Sequence, residues 1–338
     1  MRFSKALLQR ARRLLCELQD HVRDRVIAAR TRDSRGFAKI DAVTAADTIY
    51  GVDRISEAAV VGWFERHWPV SWPVELVMEG IADGSTVTFP RGTPVSRTVL
   101  KCIVDPIDGT RNFMHDKRSA WILAALAPQR GARTLLADIA VAAMTEMPTT
   151  RQWRTDQVSA VRGCGRRGIC ARYLDLRNRR WSPLRLRPSR ARDFEQGFAS
   201  FVRFFPEGKA LTARLEEELW KEIHGTRPGA APVVFDDQYL TTGGQIHEIL
   251  SGRDRMIGDV RPLVFAKLGL ASSLVCHPYD ICTSFILEEA GGVVENPAGG
   301  PLRARLDTTS PVAWIGYANP ALARAVRPIL RRLIRKLL

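Results

Sequence analysis

The stretch Val104-Asp105-Pro106-Ile107-Asp108-Gly109-Thr110-Arg111-Asn112-Phe113 decides the reading of this 338-residue chain. It continues an apolar run, Val99–Val104, that reads as a strand, and it sets two aspartates three positions apart. Pro106 stiffens the segment and Gly109 lets the backbone bend sharply behind it. Two carboxylates on one tight turn repel each other unless a cation lies between them. Mg²⁺ takes oxygen ligands, commonly one or two carboxylates with water and phosphate oxygens. The Ile107 carbonyl and the Thr110 hydroxyl add further oxygens. A bare D-x-x-D reads as a turn capping the next element; the whole string points to a cation instead.

Outward from this string, Val74–Met78 reads as a strand ending in Glu79-Gly80, and Ala120–Ala127 as a strand covered on both faces. Arg2–Arg30 reads as a helix with Leu7, Leu8, Ala11, Leu14, Leu15, Leu18 and Val22 on one stripe and arginine on the other. Val52–His67 is a second helix, with Ile55, Ala58, Ala59, Val60 and Trp63 inward. Downstream, Arg162–Pro188 reads as hairpin-like strands and turns, Phe198–Phe205 as a strand and Glu207–Ile223 as a helix. Ile246–Leu250 is helical up to Gly252, and Asp280–Ala290 is helical up to Gly291-Gly292, before a strand at Val293–Val294. Helices and strands alternate without an internal repeat, which makes this a mixed α/β chain.

Composition bounds the remaining possibilities. With 45% hydrophobic and 26% charged residues the chain is an ordinary globular protein, long enough for two lobes. No apolar stretch approaches the roughly 18–20 residues that span a bilayer. Met1–Arg30 scatters basic residues through its apolar ones and does not read as a secretory signal, so the cytoplasm is the expected location. The six cysteines, Cys16, Cys102, Cys164, Cys170, Cys276 and Cys282, form no CxxC pair and read as buried free thiols. The net charge of +15 suits an anionic partner. It concentrates in the N-terminal arm, in Arg151–Arg192 and in Arg324–Lys336. Arg151–Arg192 has no recognisable nucleic-acid motif and reads as a solvated hairpin, so no specific nucleic acid partner is expected. Arg324–Leu338 is a basic amphipathic helix, able to dock on its own protein or to make weak contact with an anionic membrane.

The string at 104–113 resembles the D-P-L/I-D-G-T-x-N-F motif of the inositol monophosphatase family. That family shares a superfamily with fructose-1,6-bisphosphatases and 3'(2'),5'-bisphosphate nucleotidases. A second family motif, W-D-x-A-A-G leading to E-A-G-G, is matched by His277-Pro278-Tyr279-Asp280-Ile281-Cys282 and Glu288-Glu289-Ala290-Gly291-Gly292-Val293. The family's acidic pair after a strand, usually G-E-E, is matched by Glu79-Gly80 with a single acid. Order and spacing agree from about Asp41 to Asn319.

The resemblance implies a sugar-phosphatase type fold, α+β in alternating helix and sheet layers, with the site between two lobes. The lobes would be 1–150 and 151–320, followed by a C-terminal helix, 321–338. It implies two or three Mg²⁺ ions held by Glu79, Asp105, the Ile107 carbonyl, Asp108 and Asp280. Glu79 and Thr110 would activate the water, with Asp105 also catalytic. Gly109, Thr110, Arg111, Gly244 and Gln245 would meet the substrate, a small phosphorylated metabolite such as a polyol or sugar phosphate. A bisphosphate nucleotidase or fructose-1,6-bisphosphatase activity is the alternative, and a non-catalytic relative that binds RNA or membrane is a third reading. A homodimer and inhibition by Li⁺ are family expectations, the latter weakened by Gly80. Asp83 stands near enough in sequence to replace the missing acid. Arg111 replaces a small residue and either touches a second phosphate or pairs with a surface acid. The acid that reads the polyol should fall near Gly258-Asp259, where the match slips, and His247 and His277 read as structural.

Overall fold

The run from Ala120 to Ala127 is buried throughout, and its two faces serve different cores. Ala120, Ile122, Ala124 and Leu126 pack with the N-terminal helices, whereas Trp121, Leu123, Ala125 and Ala127 pack with the second half of the chain. Alternate side chains of a strand point to opposite faces, so one unbroken apolar run can carry two layers. A computed structural model describes residues 4–32, 40–43, 48–81, 85–225, 233–270 and 274–338, without the side chains of 41–43, 48 and 49.

The first half runs α1 (Lys5–Arg32), β1 (Ile40–Val43), β2 (Thr48–Tyr50), α2 (Gly51–His67), β3 (Val74–Met78), β4 (Val87–Phe89), β5 (Leu100–Asp108), α3 (Thr110–Met114) and β6 (Ala120–Pro128). It continues with β7 (Val141–Met147), β8 (Arg154–Val161), β9 (Cys170–Asp175) and β10 (Arg180–Pro183). Then follow β11 (Gly197–Phe201), α4 (Lys209–His224), β12 (Val234–Phe235), α5 (Thr242–Ser251), β13 (Asp254–Asp259) and α6 (Arg261–Leu268). The last elements are α7 (Pro278–Ile281), α8 (Phe285–Glu289), β14 (Val293–Glu295), β15 (Trp314–Tyr317) and α9 (Pro320–Leu337).

Eight strands form the larger sheet in the order β10-β9-β8-β7-β6-β5-β3-β4, and five form the smaller in the order β12-β11-β13-β15-β14. The larger sheet is antiparallel except where β3 and β5 run side by side. Helices α1 and α2 cover its outer face, α5, α7 and α8 lie on its inner face, and α4 and α9 pack outside the smaller sheet. Helix and sheet layers therefore alternate, as the fold class requires. Residue 150 falls between β7 and β8, which are neighbours in one sheet; the change of sheet comes after Pro183. The apolar stripe of α9, with Leu322, Val326, Leu330, Leu333 and Leu337, is buried in the protein's own core. Among the described residues no helix is long and apolar enough to cross a membrane.

Three readings from sequence need correction. Asp280–Ala290 is two short helices, with the break at 282–284, rather than one. Ala58 is exposed, and Phe64 and Val52 take the inward positions of α2. All six cysteines are free, but Cys170 is exposed and Cys164 only half-buried.

The stripe of α1 also carries polar residues. Arg23 is 1% exposed, held by Asp20 and Asp24 and stacked on Trp181. Gln19 is fully buried: its amide donates to the carbonyls of Ile122 (3.1 Å) and Ala143 (2.7 Å), and its oxygen accepts from Thr145 (2.8 Å). Gln19→Leu strands those partners in the core, which costs about 1–3 kcal/mol. A loss of unfolding free energy of that size, read as a lower urea midpoint, is expected, and an unchanged midpoint refutes the role.

Candidate metal centre

β5 carries Asp105 and Asp108 into the site by an irregularity. Asp105 pairs with Leu123 and Asp108 with Trp121, so the strand gains one residue between them relative to β6. In a regular strand positions i and i+3 face opposite ways. The extra residue at Pro106-Ile107 brings both carboxylates to one side, as bulges do. The string is therefore a bulged strand end, not the tight turn read from sequence. Gly109 follows at φ +94°, where a Cβ would meet the Leu240 carbonyl at 2.8 Å, so only glycine fits there.

Asp280 arrives from α7 and accepts the His277 N–H at 2.6 Å. Carboxylate oxygens of Asp105, Asp108 and Asp280 all lie within 4.8 Å of one another. Asp105 accepts the Ile107 N–H (3.0 Å), and Asp108 accepts the Thr241 hydroxyl and the Gly243 N–H (both 2.6 Å). Burial, then the charges of Glu79, Asp108 and Asp280, push Asp105 well above the ordinary carboxylate range. Burial lifts Asp108 to about 6 against the bonds from Thr241 and Gly243. Burial and then Asp108 raise Asp280, although the His277 N–H and Arg261 pull it down. Three convergent carboxylates, Asp105 and Asp108 buried and Asp280 half-buried, are a donor set that fits a hard divalent cation such as Mg²⁺.

Glu79 sits one residue beyond β3, which runs parallel to β5 in the register Met78 to Val104. It therefore stands beside Asp105, its N–H donating to the Val104 carbonyl at 3.3 Å, and lines the same cleft of about 600 Å³. Among the described residues it remains outside the three-carboxylate group. The Ile107 carbonyl accepts the Thr110 hydroxyl at 3.0 Å. Arg111 lines the cleft with Gly109 and Thr110. Gly244 and Gln245 do not line it: the Gly244 N–H caps α5 on Thr241, and the Gln245 amide donates to the Tyr239 carbonyl. Thr241 and Thr242, just before them, face the cleft.

Asp83 lies outside the described residues. Gly80 has φ +84°, and a Cβ there would stand 2.0 Å from the Glu57 carboxylate, which occupies that space and lines the cleft. Restoring an acid by Gly80→Glu thus combines a left-handed backbone with a clash. A stability loss of about 1–2 kcal/mol is expected from the backbone, with the Glu57 carboxylate displaced. Thermal unfolding at the parent's midpoint would rule that out. The variant is accordingly a poor probe of Li⁺ sensitivity.

Sequence reading missed two residues of the cleft. Asp53, in the first turn of α2, accepts the Thr110 hydroxyl at 3.1 Å and the Tyr50 N–H at 2.8 Å. A carboxylate three residues into a helix signals only capping, and nothing local announces its second partner. Arg261 lines the cleft, forks onto Asp259, bonds the Leu274 carbonyl and lies over Phe204. Asp259 is 1% exposed and committed to Arg261, so it is no free acid for a polyol.

No family model and no curated protein matches this sequence. Solved structures do. The extragenic suppressor protein suhB of Bartonella henselae aligns over 96% of this chain and 98% of its own, with TM-score 0.62 and 17% identity. Fructose-1,6-bisphosphatase of Leishmania major aligns over 96% and 94%, with TM-score 0.64 and 14% identity. Inositol monophosphatase of Anabaena aligns over 99% and 97%, with TM-score 0.56 and 14% identity. At such identities the likeness speaks for the fold alone: the chain has the fold of these suhB, fructose-1,6-bisphosphatase and inositol monophosphatase structures.

Proposed function

We propose that the chain is a Mg²⁺-dependent phosphatase acting on a small phosphate monoester, a polyol or sugar phosphate. The observation that carries this is the convergence of Asp105, Asp108 and Asp280 in one group that lines an open cleft. Glu79 would join these ligands, with the Ile107 carbonyl. Bound there, Mg²⁺ supplies charge neutralisation for the phosphate and a lowered pKa for the attacking water. The Thr110 hydroxyl, within reach of both Asp53 (3.1 Å) and the Ile107 carbonyl (3.0 Å), would pass its one proton to Asp53 as it takes one from that water, with Glu79 alongside. The N–H groups of Gly109 and Thr110 and the Arg111 guanidinium border the space for the phosphate. A homodimer and a cytoplasmic setting belong to the same reading.

As a second reading, Arg111 and Arg261 both line the cleft, Arg261 already paired with Asp259, and a substrate with another anionic group, of the bisphosphate kind, would meet them there. Both are tested by phosphate release from a panel of monophosphates and bisphosphates, with Mg²⁺ and in chelator. Hydrolysis that disappears in chelator and returns with Mg²⁺ is expected. Failure on every ester, or full activity in chelator, rejects the proposal.

A further inference from the structure

A second cavity, of about 480 Å³, shares no lining residue with the cleft. Trp121 and Tyr239 line it, the indole N–H donating to the Tyr239 hydroxyl at 3.1 Å and the indole lying against His247 at 4.7 Å. Glu146, Asp156 and His247 stand on its wall. Glu146 is satisfied by the Gln152 amide and the Asp156 N–H. The other two are not: Asp156 Oδ1 and His247 Nε2 have no hydrogen bond, although the residues are only 2% and 4% exposed. Charges lie close to both, with Arg154 Nε 3.3 Å from Asp156 Oδ1 and His247 Nε2 3.3 Å from Asp156 Oδ2. Buried polar atoms that have charge contacts but no hydrogen bond, in an open cavity, are atoms that a ligand can satisfy.

The rim has the opposite character. Lys117, Arg118, Arg151, Arg154 and Arg253 line the cavity. Arg118, Arg151 and Arg253 have acidic partners in Asp237, Asp116 and Glu248, while Lys117 is exposed and has none among the described residues. A ligand for this cavity must give a hydrogen bond to Asp156, meet His247 as donor or acceptor, cover an aromatic wall and present an anion to the rim. A hydroxyl does the first two at once, and a phosphate the last. We infer that this cavity is a second binding site for a small polyhydroxylated phosphate, with hydroxyls on Asp156 and His247 and its phosphate at Lys117. The inference does not depend on the phosphatase reading.

Binding of glucose 6-phosphate, followed by calorimetry in chelator on full-length Asp105→Asn protein, tests it with the metal centre disabled. One saturable site per chain is expected, with Kd below about 1 mM. Lys117→Ala, a surface change that leaves the core intact, is expected to weaken it about tenfold, and His247→Gln likewise. Glucose and inorganic phosphate, tried separately, are each expected to bind at least about tenfold more weakly. Absence of binding, binding only after Mg²⁺ is added, or an affinity unmoved by Lys117→Ala overturns the inference.

Discussion

Asp105→Asn is expected to move activity and stability in opposite directions. Phosphate release should fall by about two orders of magnitude or more, because the charge arranged at a metal centre accounts for several kcal/mol of the barrier. Meanwhile the metal-free protein should become more stable near neutral pH. Burial and three neighbouring carboxylates raise Asp105 far above its unfolded value. A native group of raised pKa binds more protons than its unfolded counterpart, so stability falls as pH rises from the unfolded pKa toward the folded one. Above that window the cost is fully present, and below about pH 4 it is gone. Asparagine still accepts the Ile107 N–H and carries no such cost. Melting in chelator at pH 8 should therefore be higher for the variant, with the gap narrowing by pH 5. Asp108, lifted to about 6, gives the parent the same downward slope between about pH 4 and 6. A variant that melts lower at pH 8, or keeps its turnover, contradicts the assignment.

Asp53→Asn tests the proton path separately from the metal. Asp53 is absent from the group formed by Asp105, Asp108 and Asp280, yet holds the Thr110 hydroxyl. An asparagine amide can donate to that oxygen instead, occupying the lone pair and turning the hydroxyl proton toward the water. A fall in kcat of about 10²-fold is expected, in the range of lost acid–base catalysis, with Mg²⁺ affinity by calorimetry unchanged. The remaining oxygen still accepts the Tyr50 N–H, so the start of α2 keeps its cap and the melting temperature is expected to stay near the parent's. If Asp53 and Thr110 act as one unit, Asp53→Asn combined with Thr110→Ala is no slower than the worse single variant. Multiplying effects in the double variant, or normal kcat in the single one, would separate the two residues.

Layering was legible from the chain because it is written locally. The unbroken run at 120–127 and the stripes of α1 and α9 state their faces in residue order. The aspartate string was legible because two carboxylates so close repel each other without a cation, and because the string resembles a known family's motif. What stayed hidden depends on a partner far along the chain. The bulge at Pro106-Ile107 exists only against β6, and Arg261 lines the cleft only once the segment after β13 is brought to the end of β5. Gly80 read as a missing acid, whereas Glu57 fills its place from another helix. Gly244 and Gln245 read as substrate contacts because the family resemblance implied them. Their bonds to Thr241 and Tyr239 turn them inward.

The buried amide of Gln19 has a consequence for where α1 sits along its own axis. An apolar stripe tolerates a shift of one helical turn, about 5.4 Å, because leucines recur at nearly the same angle. Hydrogen bonds to the carbonyls of Ile122 and Ala143 and from Thr145 do not; they exist in a single position of the helix on the sheet. Gln19 thus keys α1 lengthwise, as a pin keys a shaft. Helix α2 packs on α1, and Asp53 is carried in the first turn of α2. The separation between Asp53 and Thr110, a contact of 3.1 Å, is in this sense indexed by an amide on the far side of the sheet.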